Sequence, residues 1–194
     1  HAVDIDIVTN QLKEKKYDLV AVVHAETSTG VCNPVKEIGQ LAHENGSLYL
    51  VDCVTSLGGL EIKMDEWYID ALYSGTQKCL SCPPGLSPVS FSKDALDKLN
   101  HRKSKVPNWY LDLSMITKYW SGNSRVYHHT APINMLYGLY QACYNIFDEG
   151  LDRVIQRHRN MHTLLVNELS NLELKLFVKE QERLPMLNSI MIPE

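Results

Sequence analysis

The runs Leu19-Val-Ala-Val-Val23, Pro34-Val-Lys-Glu-Ile-Gly-Gln-Leu-Ala-His-Glu-Asn-Gly46 and Leu48-Tyr-Leu-Val-Asp52 decide the fold class. The first is short, apolar and β-rich, the composition of a strand buried on both faces. The second is helical: Val35, Ile38, Leu41 and Ala42 share a face, Pro34 opens it and Asn45-Gly46 closes it. The third is a strand that ends on a carboxylate. Strand, helix, strand in this order is a βαβ unit, and such units build parallel sheets. Working outward, residues 69–73 and 88–91 read as further strands, and Ser92 caps a helix through Leu99. The expected class is α/β, with a mainly parallel central sheet flanked by helices.

The rhythm then changes. Residues 100–126 are mixed and irregular, with a basic cluster at His101-Arg-Lys-Ser-Lys105 that is most simply a solvated loop. A helix is expected from Pro132 to about residue 148, with Ile133, Leu136, Leu139, Tyr140 and Cys143 on one face. Glu149-Gly150 breaks it. A second helix follows over 151–170, with Val154, Ile155, His158, His162, Leu165 and Leu169 at helical spacing, and then strands at 174–178 and 189–192. This change sets a boundary: 1–149 as part of a large domain, 150–194 as the start of a smaller α+β C-terminal domain. The chain opens at His1 with no initiator Met and stops in what reads as a strand and its exit turn. It is therefore expected to be an internal piece, with any terminal targeting signal out of view.

Composition excludes several classes. In 194 residues, 44% are hydrophobic and 22% charged, enough apolar side chain to offset ordering entropy. The net charge of −4 argues against a dominant nucleic-acid or anionic-membrane role. No apolar run approaches the roughly 18–20 residues of a membrane span. Five cysteines, at 32, 53, 79, 82 and 143, are an odd and scattered set, which suits a reducing compartment rather than a disulfide framework.

In an open parallel sheet, ligands collect outside the carboxyl ends of the strands. Glu26-Thr-Ser-Thr-Gly30 follows the first strand, Asp52 ends the second, and Ser74-Gly-Thr-Gln-Lys78 follows the third. Asp52 comes straight after Tyr49-Leu-Val, so its carboxylate should be partly buried and in need of a donor or cation. Lys78 sits in a Gly- and Pro-punctuated apolar loop, a poor place for solvation and a good one for a neutral amine nucleophile. Either residue alone is most simply a cap or a turn lysine. Together they suit pyridoxal 5′-phosphate (PLP), which needs a lysine for the imine, an acid at the ring nitrogen and donors for the phosphate.

Ile69-Asp-Ala-Leu-Tyr-Ser-Gly-Thr-Gln-Lys-Cys-Leu-Ser-Cys-Pro-Pro-Gly-Leu-Ser87 resembles the lysine signature of class V aminotransferases, which have PLP fold type I. His24-Ala-Glu-Thr-Ser-Thr-Gly30, Val51-Asp-Cys-Val-Thr-Ser-Leu-Gly-Gly59, Tyr127-His-His-Thr130, and Leu176-Phe-Val-Lys with Arg183-Leu-Pro185 narrow it. Together they are similar to the alanine–glyoxylate (serine–pyruvate) type, related to 3-hydroxykynurenine transaminase. The resemblance covers nearly the whole chain. It implies a ping-pong transaminase of glyoxylate metabolism, moving an amino group from alanine or serine to glyoxylate through a Lys78 aldimine. It implies Asp52 at the pyridine nitrogen, Val54 under the ring, Thr27 at the phenolic oxygen and Gln77 at the phosphate. Tyr127 and Thr130 would reach the phosphate in the neighbouring subunit of a homodimer. In the family, a glycine-containing phosphate loop and a stacking aromatic lie upstream of His1, and the arginine for the substrate carboxylate lies downstream of Glu194. Relatives are peroxisomal, mitochondrial or cytosolic. The alternatives are 3-hydroxykynurenine transamination, or another class V reaction such as a cysteine desulfurase or kynureninase. A non-catalytic α/β scaffold would not need the whole set of anchoring residues.

Other motifs have simpler explanations. Cys79-x-x-Cys82 lacks the second pair a structural zinc site wants, so no metal is expected. His158 and His162 are four apart on a helix, but Arg159 stands where a zinc protease needs Glu. His128-His129 suits packing or hydrogen bonding rather than a general base, Gly58-Gly59 suits a tight turn, and Ser56 and Ser74 lack His/Asp partners at informative spacing.

Overall fold

The computed structural model describes residues 1–121 and 126–193. Helix α1 (Ile5–Glu14) precedes β1 (Leu19–Val23), and the short pair β2 (Ala25–Glu26) and β3 (Val31–Cys32) leads into α2 (Val35–Asn45) and β4 (Leu48–Asp52). Then come β5 (Ala71–Tyr73), β6 (Val89–Phe91), α3 (Lys93–Asn100) and α4 (Leu113–Ser121). The long helices α5 (Ile133–Glu149) and α6 (Leu151–Asn171) follow, with a 3-10 turn at Glu180–Glu182 near the end.

The main sheet has the order β1-β4-β5-β6; β1–β4 and β4–β5 are parallel, and β6 closes the edge antiparallel to β5. The βαβ unit has the expected bounds. Helix α2 ends where Gly46, at φ 73°, turns its N–H back onto the last-turn carbonyls of Ala42 and His43. Its inner face, Val35, Ile38, Gly39 and Ala42, is buried on the sheet. Packing is tight at Gly39, where a Cβ would collide with the Trp67 carbonyl oxygen.

Side chains alternate across a strand, and residues in register share a face. One face, with Tyr49, Val51 and Leu72 buried and Val20 and Val22 beside them, packs under α2. The other carries Val23, Asp52, Tyr73 and Val89, which are register partners across all four strands. That face is open: Val89 is 49% exposed and Leu19 50%. The expectation that β1 is buried on both faces is therefore corrected. It is an edge strand of this sheet, with a half-covered pattern.

Three further expectations change. Within the stretch read as irregular, 113–121 is helical, its start held by the Asp112 carboxylate, which accepts from Ser114 N–H at 3.0 Å. Helix α5 turns a partly different face inward. Leu136 and Leu139 are half-buried, Ala142 is buried, and Gly138 lies close enough to Cys82 and Pro83 that a Cβ would meet them, while Ile133, Tyr140 and Cys143 are exposed. Small residues let the helix approach the 79–85 loop, and its apolar residues run all the way round, so periodicity alone does not choose a face. The strands expected at 174–178 and 189–192 are reduced to one antiparallel bridge between Leu176 and Ile190. On α6, Val154, Ile155 and Leu169 are buried as expected, but Leu165 is 38% exposed. Helices α5 and α6 meet at Gly150, φ 88°, whose N–H bonds to Ile146 O and whose carbonyl accepts from Val154 N–H.

Candidate active site

Asp52 ends β4 on the open face, half-buried as its neighbours imply. Its Oδ1 accepts the Val54 N–H at 2.8 Å, which turns the chain sharply out of the strand. Its Oδ2 accepts the Tyr73 hydroxyl at 2.7 Å. That bond, then burial and the carboxylate's charge, push the Tyr73 phenol up to about 12. Among the described residues no cation touches Asp52; the partner it needed is supplied by two donors. Behind it, His24 N–H bonds to the Asp52 carbonyl at 2.9 Å. The His24 ring is buried, edge-on to Trp67 at 6.1 Å, and burial lowers it to about 4.

The Glu26–Gly30 segment lies against the 53–56 turn. Thr27 Oγ1 and Thr55 Oγ1 are 2.7 Å apart. Ser28 donates its N–H and hydroxyl to Glu26 Oε1, which holds the Glu26 carboxyl below its ordinary value. The lysine loop joins the same turn: Cys79 Sγ donates to the Thr55 carbonyl at 3.2 Å, and Ser74 Oγ to the Cys53 carbonyl at 3.1 Å. Thr76 is buried and bonded through its hydroxyl to Pro83 O at 2.6 Å, so the loop is cinched on both sides of Lys78.

Lys78 and Gln77 are exposed. This corrects the expectation of a lysine wrapped in apolar loop. Leu80 and Cys82 turn inward instead, and leave the two polar side chains on the rim. Lys78 makes no hydrogen bond or ion pair among the described residues. It lines a cleft of about 460 Å3 with Thr55, Cys79, Glu149, Arg157 and His158. Arg157 is bonded twice to Glu149, at 2.7 and 2.9 Å, so its guanidinium already has a carboxylate partner. Val54 is half-buried beside Asp52.

The backbone and hydroxyl bonds therefore knit the segments of Thr27, Asp52, Val54, Gln77 and Lys78 into one cluster. Tyr127 and Thr130 are not bonded to it. Both are exposed, and their hydroxyls bond to each other at 2.8 Å. Between them, His128 is buried against Trp109, with ring centroids 4.3 Å apart. Cys79 and Cys82 turn apart, the first to Thr55 and the second to Gly138. Among the described residues no group of three His, Cys, Asp or Glu is arranged to hold a metal ion, and no helix is long and apolar enough to cross a membrane. The sequence reading missed Tyr73 and Thr55. The signal for Tyr73 was the register that sets it beside Asp52; for Thr55 it was only the turn position.

The family model for aminotransferase class-V matches residues 1–193. The chain belongs to the class V aminotransferases. It is 42% identical over 189 residues to alanine–glyoxylate aminotransferase of Rattus norvegicus, covering 96% of this chain and 46% of that protein. It is 34% identical over 208 residues to (S)-ureidoglycine–glyoxylate transaminase of Bacillus subtilis, covering 98% of this chain and 50% of that one. The crystal structure of alanine–glyoxylate aminotransferase from Nostoc sp. superposes with a TM-score of 0.95 at 44% identity, over 100% of this chain and 51% of that chain. The class V chain thus spans about half the length of the curated relatives it matches, and its fold is PLP fold type I.

Proposed function

We propose that the protein containing this chain is a PLP-dependent transaminase that moves the amino group of alanine or serine to glyoxylate. One observation carries the reading: the Asp52 carboxylate is fixed at the end of β4, in a cluster that also holds the Lys78 loop through the Cys79–Thr55 bond. The donor set fits the cofactor. Each Asp52 oxygen has one donor and room for another, the Lys78 amine has no bonded partner among the described residues, and the Thr27 hydroxyl faces a second hydroxyl.

When bound, PLP supplies a protonated pyridine ring that stabilises negative charge on the carbon bearing the substrate's amine. The chain's residues do the rest. Asp52 keeps the ring nitrogen protonated, through a charge-assisted bond of roughly 1.5–3 kcal/mol. Thr27 donates to the phenolic oxygen, Gln77 to the phosphate, and Val54 packs under the ring. Lys78 Nζ holds the cofactor and moves the proton at the substrate's α-carbon. Tyr127 and Thr130 serve the phosphate site of a second subunit. Their mutual bond and exposure support that reading, since among the described residues their hydroxyls have no other hydroxyl partner.

Glyoxylate is the better supported half of the reaction, because relatives with different amino donors in their names share it. A panel of alanine, serine and 3-hydroxykynurenine with glyoxylate, run on the complete polypeptide, ranks the donors. The reading itself is tested by Lys78→Ala. The visible imine band that borohydride reduces, fixing the cofactor to the lysine, should vanish, and turnover should fall by several orders of magnitude. A variant that keeps a borohydride-reducible imine band at this site overturns it.

A further inference from the structure

We propose that Tyr73 is the positioning residue for Asp52: its phenol locks the carboxylate in the orientation from which it grips the cofactor's ring nitrogen. The inference rests on the PLP reading above and deepens it. Asp52 and Tyr73 are register partners in the parallel β4–β5 pair, so both side chains rise from the same face of the sheet. The backbone under each is pinned: Cys53 N–H bonds to the Tyr73 carbonyl at 2.8 Å, and Ser74 N–H to the Pro88 carbonyl at 2.8 Å. The geometry therefore delivers the phenol to the acid from a rigid platform.

A carboxylate is held more firmly about its Cβ–Cγ bond when both oxygens have donors than when one does. Here the Val54 N–H holds Oδ1 at 2.8 Å and the Tyr73 hydroxyl holds Oδ2 at 2.7 Å. The first donor is backbone and comes with the turn. The second is a side chain that does little else. Tyr73 is 37% exposed, outside the core under α2, and its hydroxyl has no other partner among the described residues. Its polar end stands on the acid, as outer-shell groups do when they orient a ligating residue.

The test is a double-mutant cycle on the complete polypeptide with Asp52→Asn and Tyr73→Phe. The readouts are PLP affinity of the apoprotein and the absorption maximum of bound PLP. Tyr73→Phe should weaken PLP binding about tenfold and shift the maximum part of the way to its Asp52→Asn position. Added to Asp52→Asn, it should change neither. Equal losses of affinity in both backgrounds, or an unshifted maximum, would mean a packing role and overturn the proposal. So would an inert Tyr73→Phe beside a damaging Asp52→Asn, while leaving the cofactor reading intact. An inert Asp52→Asn would overturn both.

Discussion

On β4, Tyr49 and Val51 are 0% exposed, whereas Leu50 and Asp52, each one residue away, are half-buried. Alternate residues of one strand thus serve two regions. The face under α2 is close-packed and holds the fold. The opposite face carries Asp52 and Tyr73, and is where the polar strand ends gather. The difference teaches that stability and chemistry can be separated here by a step of one residue, because a strand sends successive side chains to opposite faces.

That separation can be broken from the packed side. Gly39→Ala should have the largest effect, since the added Cβ meets the backbone oxygen of Trp67 and neither can rotate away. A loss of about 3 kcal/mol is expected in urea unfolding, at the upper end for overpacking. A fully stable variant would show that α2 is not tightly seated.

Acid should act next, through His24. Its folded value of about 4 lies below the ordinary 6.5, so between those pH values the unfolded chain binds a proton that the folded one refuses. The stability tied to this residue is intact above pH 6.5 and lost as pH falls toward 4, by up to about 3 kcal/mol at the bottom of the window. His24→Leu should flatten that part of the stability curve. Curves of equal steepness in the two proteins would remove His24 as the cause.

Tyr49→Phe is the smallest and sharpest change. It removes the hydroxyl that bonds to the Val35 carbonyl at 2.9 Å inside the core. The expected loss is about 1 kcal/mol, the worth of one buried neutral hydrogen bond, with PLP affinity unchanged. A matching loss of affinity would mean that the two faces are not independent.

Much of this architecture was legible in the residues. The bounds of β1, α2 and β4 follow from local signals: an apolar run, a proline entry, a glycine exit. The polar strand ends pointed to the candidate site because the topology of parallel sheets puts ligands there. What escaped was of two kinds. Helices α1 and α4 begin at Asp4 and Asp112, sound caps ahead of short apolar patterns that lack a clear partner strand. Tyr73 and Thr55 act through neighbours distant in sequence, so their roles depend on register and turn geometry that composition does not encode. The inward face of α5 belongs to the second kind. Gly138 and Ala142 matter for what they allow to come close, and hydrophobicity scales reward the larger residues beside them.

Gly150, where α5 hands over to α6, sits at φ 88° and ψ 125°. Residues with a Cβ pay roughly 1–3 kcal/mol in such backbone conformations. Every single-base change in a glycine codon that alters the amino acid brings in an L side chain with a Cβ. This corner is therefore a point of genetic fragility: no one-letter edit that changes the residue there is silent to the backbone.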